Sequence, residues 1–136
     1  MYLERTKFFL RLLGSPEKKI PHYIHIAGTS GKGSVATYLH AILAAAGYRT
    51  GLLTSPHAYR ITDRWRVNGR VMNDKTFASL VEQIQPALEQ YARTSPYDTV
   101  SFFELTDNLG FLHFAQQRVQ WAVLEVGLGG AYCSSN

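Results

Sequence analysis

The glycine-rich stretch HIAGTSGKGSV, residues 25–35, constrains the fold of this chain more than any other feature. The run HYIHIA (22–27) before it is β-branched and aromatic, which is typical of a buried strand, and residues 33–46 have the alanine- and leucine-rich spacing of a helix. Glycines between a strand and a helix allow several backbone N–H groups to converge near the positive end of the helix dipole. The stretch therefore predicts a phosphate-binding loop, to which Lys32 adds a positive charge.

The stretch departs from the common phosphate-loop pattern G-x-x-x-x-G-K-[ST]. Gly31 and Lys32 are present, but Ile26 occupies the position of the first glycine and Gly33 that of the Ser or Thr. Ser34 falls in the first helical turn, where its hydroxyl could reach a phosphate oxygen or a metal ion. The alternative is a glycine-rich turn with an exposed lysine, which the strand–turn–helix context disfavours.

The remaining chain predicts alternating strands and helices. An N-terminal amphipathic helix precedes the first strand, and later segments predict two strands, a hairpin at Asn68-Gly69 and two helices. The second helix from the C-terminus begins at Asn73 or Asp74. The predicted segments are strands 49–55 and 121–126, the ribbon 64–72, and helices 74–92 and 100–118. This order predicts an α/β fold, a parallel sheet with helices on both faces.

Two polar residues follow or end predicted strands. Ser55 follows the second strand and Glu125 lies near the end of the third. Ligands of open α/β sheets bind beyond the carboxyl ends of the strands, and Mg²⁺ takes hydroxyl and carboxylate oxygens. Together with the glycine loop they favour a magnesium–nucleotide site. Alternatively, Glu125 pairs with an arginine and Ser55 caps a loop.

Composition excludes several classes of function. The net charge of +4 comes from 14 basic and 10 acidic residues spread along the chain, which does not favour a nucleic-acid partner. No apolar run approaches the roughly 20 residues of a membrane helix, so no membrane partner is expected. Cys133 is the only cysteine, so an internal disulfide is impossible and a cytoplasmic location is expected. The oligomeric state is not predicted.

Five segments resemble, in order, the folylpolyglutamate synthase and dihydrofolate synthase family of Mur-type ATP-dependent ligases. They are AGTSGKGSV, AAAGYRTGLLTSPH, ITDRWRVNG, FFELTDNLGFLHFA and VLEVGLGG. The resemblance implies a phosphate-loop NTPase-like fold, the Mur ligase central domain, with ATP and Mg²⁺ as cofactors. It implies ligation of L-glutamate to dihydropteroate or folates through an acyl phosphate.

Site residues are also implied by this resemblance. Ser55 and Glu125 would hold Mg²⁺, and Lys32 would act in catalysis. The ATP phosphates would contact Thr29, Ser30, Gly31, Lys32, Gly33 and Ser34. The substrate side would be formed by Ser101, Phe102, Phe103, Glu104 and Tyr132. Ser101-x-x-Glu104 at a helix start could equally be a capping box.

The end of the chain departs from the family pattern. GGAYCSSN stands where the family has GGRLDATN, so Ala131 replaces an arginine and Cys133 an aspartate. Residues 1–136 are expected to be the N-terminal part of the ATP-binding domain, incomplete, with the C-terminal glutamate ligase domain absent and with no ligation by this chain alone. The third strand is expected to lack its later neighbours, which would give the sheet an exposed edge that invites self-association. Alternative functions are a related Mur-type ligase for another carboxylate and an inactive nucleotide-binding remnant.

Overall fold

A computed structural model describes residues 2–127 and 133–135 of the 136-residue chain. Within these residues, the α-helices are α1 (Tyr2–Leu12), α2 (Lys32–Ala45), α3 (Asp74–Thr94) and α4 (Phe102–Gln116). The strands are β1 (His22–Ile26), β2 (Thr50–Leu53), β3 (Trp65–Val67), β4 (Arg70–Val71) and β5 (Trp121–Glu125). Short 3₁₀ helices span Pro16–Lys19 and Ile61–Arg64. The predicted order of strands and helices is confirmed.

The strands form one sheet with the order β1-β5-β2-β3-β4. Strands β1, β5 and β2 are parallel, whereas β3 runs antiparallel to β2 and β4 antiparallel to β3. The α/β fold is confirmed, but the sheet is mixed rather than wholly parallel. Residues 54–64 join β2 to β3 without a crossover helix, and such a connection returns the chain antiparallel.

Strand β5 occupies an inner position of this sheet. It pairs with β1 on one side and β2 on the other, so an exposed edge of the sheet does not fall at the third predicted strand. Among the described strands, β1 and β4 are the edges. Because β1, β5 and β2 are parallel, their carboxyl ends lie together at one end of the sheet, where Ile26 pairs with Glu125.

Helices cover both faces of the sheet, as the alternation of side chains along its inner strands requires. On one face, Leu52 and Val123 pack with Ala36 of α2. On the other, Leu53 and Leu124 belong to the larger core, which is formed with α1, α3 and α4. Helix α2 therefore covers the face of the sheet opposite to the larger core, and it begins where the glycine loop ends.

Local signals in the sequence account for the hairpin and for α3. Asn68 and Gly69 both have positive φ angles, 47° and 77°, as the Asn-Gly hairpin prediction requires. Asn73, rather than Asp74, is the N-cap of α3, since its side chain accepts the Thr76 N–H. In the described part of the chain, no helix has the length and apolar character needed to cross a membrane.

Candidate functional site

The glycine loop connects the end of β1 at Ile26 to the start of α2 at Lys32. Gly31 is the N-cap of α2 in the left-handed conformation, with φ 73° and ψ 2°, which glycine adopts without steric cost. The first N–H groups of a helix have no intrahelical acceptor, and Gly31 has no side chain to accept them. The loop therefore presents unpaired backbone donors at the positive end of the α2 dipole, which is the chemistry of an anion site.

Lys32 reaches back over the same loop. Its Nζ donates a hydrogen bond to the carbonyl of Gly28, at 3.0 Å. This contact holds the ammonium group at the loop, in a solvent-exposed position. An anion bound at the α2 terminus would therefore meet a positive side chain as well as backbone donors.

Glu125 ends β5 and is the point at which three predicted segments meet. Its Oε2 accepts the backbone N–H of Ser55 at 3.0 Å, and the side chain is buried, with the residue 8% exposed. A Cβ built at Gly33 would lie 3.4 Å and 3.5 Å from the two carboxylate oxygens. The carboxylate thus lies between the first turn of α2 and the segment after β2, and glycine at position 33 leaves that side of it uncovered.

The donor set at this point fits a hard divalent cation. Within the described residues Glu125 forms no ion pair, so the predicted arginine partner is not found there, and a buried carboxylate is costly without a positive partner. The described residues hold no cluster of three or more His, Cys, Asp or Glu side chains suited to a metal. Ser55 and Glu125 alone would make a two-ligand oxygen site, which suits Mg²⁺ because it keeps water and phosphate oxygens as its other ligands.

The predicted substrate side begins at the N-terminus of α4, where a capping box is confirmed. Ser101 Oγ accepts the Glu104 N–H at 3.3 Å, and Glu104 Oε2 accepts the Ser101 N–H at 2.8 Å. Glu104 also accepts hydrogen bonds from Arg5 and Thr6 of α1, at 2.9 Å and 3.0 Å. Its carboxylate is therefore fully engaged inside the protein, and its contact with substrate stays a prediction.

The ionisation of Glu104 follows from these contacts. Burial raises the pKa of this carboxyl, but the hydrogen bonds from Arg5, Ser101 and Thr6 outweigh burial and hold the pKa below its usual range. Glu104 is consequently a carboxylate at neutral pH, and its charge is matched by the Arg5 guanidinium.

The two phenylalanines after Ser101 differ in exposure: Phe102 lies in solvent and Phe103 packs toward the site. Phe102 is 57% exposed, and the Arg64 guanidinium lies 5.7 Å from its ring centroid. Phe103 is half-buried and packs so closely on Gly127 that a Cβ there would lie 2.1 Å from Phe103 Cζ. Phe103 is thereby brought to the segment that follows Glu125, so the predicted substrate side and the metal residues are neighbours.

Two buried residues of this region, Arg64 and Asp107, were not identified from the sequence as site residues. Arg64, which is buried, donates from Nε to His57 Nδ1 at 3.1 Å, and Asp107 accepts a hydrogen bond from Ser134. Burial raises the pKa of Asp107 to about 7, although the Ser134 hydrogen bond and the Arg64 charge act in the opposite direction. In the sequence, Asp107 could have been identified by its position, since it lies one turn after Phe103 on the inward face of α4.

Of the other predicted site residues, some lie within the described ranges and some lie outside them. Thr29, Ser30 and Ser34 are exposed around the glycine loop, as expected for groups that would meet a ligand. Tyr132 lies outside the described residues, as does Ala131. The structure therefore brings the glycine loop, Ser55, Glu125 and Phe103 together.

Comparison with known proteins finds folylpolyglutamate synthases and dihydrofolate synthases among the relatives of this chain. No family model matches the chain. The dihydrofolate synthase/folylpolyglutamate synthase of Bacillus subtilis is 38% identical over 135 residues, which are 98% of this chain and 31% of that protein. The folylpolyglutamate synthase of Lacticaseibacillus casei is 36% identical over 132 residues, covering 97% and 31%.

Solved structures agree. Folylpolyglutamate synthase from Thermotoga maritima superposes with a TM-score of 0.91 at 38% identity, covering 98% of this chain and 31% of that one. The Mycobacterium tuberculosis enzyme in complex with ADP gives 0.89 at 36% identity, covering 98% and 30%. The chain thus spans about a third of the length of the proteins it matches, and over that span it belongs to the folylpolyglutamate synthase and dihydrofolate synthase family.

Proposed function

We propose that this chain is the nucleotide-binding part of an ATP- and Mg²⁺-dependent ligase that joins L-glutamate to dihydropteroate or to folylpolyglutamates. The observation that carries the proposal is the convergence of Gly33, Ser55 and Glu125 at one end of the sheet. A phosphate loop beside the buried Glu125 carboxylate and the half-buried Ser55 is the arrangement that a magnesium-bound polyphosphate needs. The ADP complex of the Mycobacterium tuberculosis relative supports the nucleotide.

The loop and the two oxygen donors would have different parts in binding MgATP. The N–H groups at the start of α2 would donate to the phosphate oxygens, and Lys32 would exchange its bond with the Gly28 carbonyl for one with phosphate. Ser55 and Glu125 would hold the Mg²⁺ ion. Bound there, Mg²⁺ supplies charge neutralisation on the transferred phosphoryl group.

The chemistry proposed for the whole enzyme has two displacements. A carboxylate oxygen of the pteroate or folate attacks the γ-phosphorus of ATP, the bond to the β–γ bridging oxygen breaks, and ADP leaves. The amine of glutamate then attacks the acyl carbon, loses a proton, and expels inorganic phosphate to give the amide. Lys32 would stabilise the charge that builds on the phosphoryl oxygens, and no covalent bond to the protein is required.

The nucleotide part of the proposal is tested by calorimetry with the non-hydrolysable analogue AMPPCP in the presence of Mg²⁺. Lys32→Ala should weaken binding about tenfold or more, since a charge-assisted contact contributes roughly 1.5–3 kcal/mol. Lys18→Ala removes the same charge from an exposed site outside the loop and is the matched control. Equal affinities for the wild-type and Lys32→Ala chains would count against the phosphate loop.

The substrate part is tested by fluorescence titration of dihydropteroate and of tetrahydrofolate in the presence of saturating Mg²⁺ and AMPPCP. Phe103→Leu keeps an apolar side chain but removes the ring that packs on Gly127, so it should weaken binding of the preferred pteridine. Phe77→Leu, on α3, is the control for a ring lost from the core away from the site. Equal loss of binding in both variants would remove Phe103 from the substrate side.

A further inference from the structure

A polar cavity lies at the opposite end of β2 from the glycine loop. Its volume is about 420 Å³, and Arg49, which precedes β2, contributes to its wall. Ser55 follows the same strand at the other end. At about 3.3 Å per residue the six steps along the chain from Arg49 to Ser55 correspond to roughly 20 Å, so the cavity is separate from the nucleotide site.

Two arginines line this cavity. Arg49 is fixed in place because its Nε and Nη2 donate to the carbonyl and to Oε1 of Gln117, the latter at 2.8 Å, which leaves Nη1 for another acceptor. Arg70, the first residue of β4, is exposed beside it. Among the described residues that line the cavity, none is acidic, so the two positive charges have no carboxylate opposite them.

The N-terminus of α3 points into the same space. Asn73, its N-cap, and Thr76 both line the cavity. The 21-residue helix presents the positive end of its dipole there. A helix terminus alone is only a weak attraction for an anion, but here it adds to the two guanidinium groups.

A buried histidine also lines this cavity. His113 of α4 lines the cavity, is only 6% exposed, and its Nδ1 has no hydrogen-bond partner among the described residues. Burial, and next the nearby Arg49 charge, lower the pKa of His113 to about 4. The imidazole is therefore neutral, and its buried Nδ1 has no partner within the described residues, which is uncommon for a polar atom in a native protein.

We propose that this cavity binds the phosphate group of a small phosphorylated molecule, at a site distinct from the glycine loop. Arg49 and Arg70 supply the positive charge, the start of α3 adds its dipole, and His113 completes the set of hydrogen-bonding groups. A volume of about 420 Å³ falls within the usual range for small-molecule pockets, so there is room for more than the phosphate alone. This site does not depend on the proposed ligase function.

The test is a titration of the chain with inorganic pyrophosphate, followed by NMR of the backbone amides and of the arginine and histidine side chains. Saturable shifts are expected at Arg70 and His113 in both the wild-type chain and Lys32→Ala, because Lys32 belongs to the other site. Arg70→Gln should weaken this binding about tenfold or more. Arg93→Gln, the same charge change on the far turn of α3, should alter it less than about twofold.

Two results would overturn the proposal. In one, pyrophosphate shifts the signals of Gly31 and its neighbours but leaves those of Arg70 and His113 in place. In the other, Arg93→Gln weakens binding as much as Arg70→Gln, which would mean that only net charge is sensed. The position of the shifts separates this site from the nucleotide loop, so its failure does not bear on the ligase proposal.

Discussion

Two buried glutamates, one at the start of α4 and one at the end of β5, have opposite surroundings. Glu104 is 4% exposed and accepts hydrogen bonds from Arg5, Thr6 and Ser101. Glu125 is 8% exposed and accepts one hydrogen bond, from the Ser55 N–H. The two residues differ little in burial, but only Glu104 has an arginine partner within the described residues.

The difference separates a structural carboxylate from one available to a ligand. The charge of Glu104 is neutralised inside the protein, where it joins α1 to α4 and caps α4. The charge of Glu125 faces the first turn of α2 beside Gly33. Burying a carboxylate without a cation is unfavourable, so the region at the end of β5 is completed by an external positive group in our proposal, whereas the region at the start of α4 needs none.

Breaking the Glu104 region should have the largest effect on stability. Glu104→Gln keeps the shape of the side chain but removes the buried charge that pairs with Arg5, which retains its ion pair with Asp98, and we expect the free energy of unfolding to fall by about 3 kcal/mol. Glu89→Gln, which removes an exposed glutamate paired with Arg93 at 3.8 Å, should cost less than about 0.5 kcal/mol. Urea denaturation of the two variants measures both, and similar losses would mean that Glu104 is not structurally special.

A third buried carboxyl group, that of Asp107, extends the comparison because it makes the free energy of unfolding depend on pH. Its pKa is raised from 3.8 to about 7, so between pH 4 and pH 7 the folded chain holds a proton that the unfolded chain has lost. This contribution to the free energy of unfolding therefore decreases as pH rises, by up to about 1.4 kcal/mol per unit. His113, with its pKa lowered to about 4, contributes in the opposite direction between pH 4 and 6.5.

The variant Asp107→Asn should separate these two contributions. Without the Asp107 carboxyl, the free energy of unfolding should rise from pH 4.5 to pH 6.5 more steeply than in the wild-type chain. Urea denaturation at three pH values in this interval gives the slopes. Parallel slopes for Asp107→Asn and wild type would show that Asp107 titrates like a solvent-exposed carboxyl.

The contact that joins the two regions is the packing of Phe103 on Gly127. A Cβ at position 127 would lie 2.1 Å from Phe103 Cζ, so Gly127→Ala should displace the ring and cost about 1–3 kcal/mol of unfolding free energy. In a double-mutant cycle, the same substitution in a Phe103→Ala background should cost less, since the ring is gone. Additive effects would contradict the contact.

Among the changes at buried residues, the smallest effect on stability is expected at Glu125. Glu125→Gln can still accept the Ser55 N–H, so the free energy of unfolding should change by less than about 1 kcal/mol. Magnesium-dependent binding of AMPPCP should nevertheless fall about tenfold or more, while binding without metal changes little. Calorimetry with and without Mg²⁺ measures this, and a loss of stability with unchanged magnesium dependence would make Glu125 a structural residue like Glu104.

Much of the candidate site could be predicted because its parts are local. The glycines between a strand and a helix, with Lys32 among them, are a signal within eleven consecutive residues. Ser55 and Glu125 could be added because each lies at the end of a predicted strand, and the carboxyl ends of parallel strands meet at one edge. The capping box at Ser101 and Glu104 was likewise predicted from its spacing, as the alternative to a contact with substrate.

The sequence by itself determined which segments become strands and helices, since periodicity, glycine turns and caps act over a few residues. Only the tertiary structure decided that β5 lies between β1 and β2 and that Glu104 is paired with Arg5, 99 positions away in the chain. It also decided that Asp107 is buried near Arg64. These outcomes depend on which distant surfaces pack together, and a carboxylate has the same letter in the sequence whether its charge is satisfied by the protein or left for a ligand.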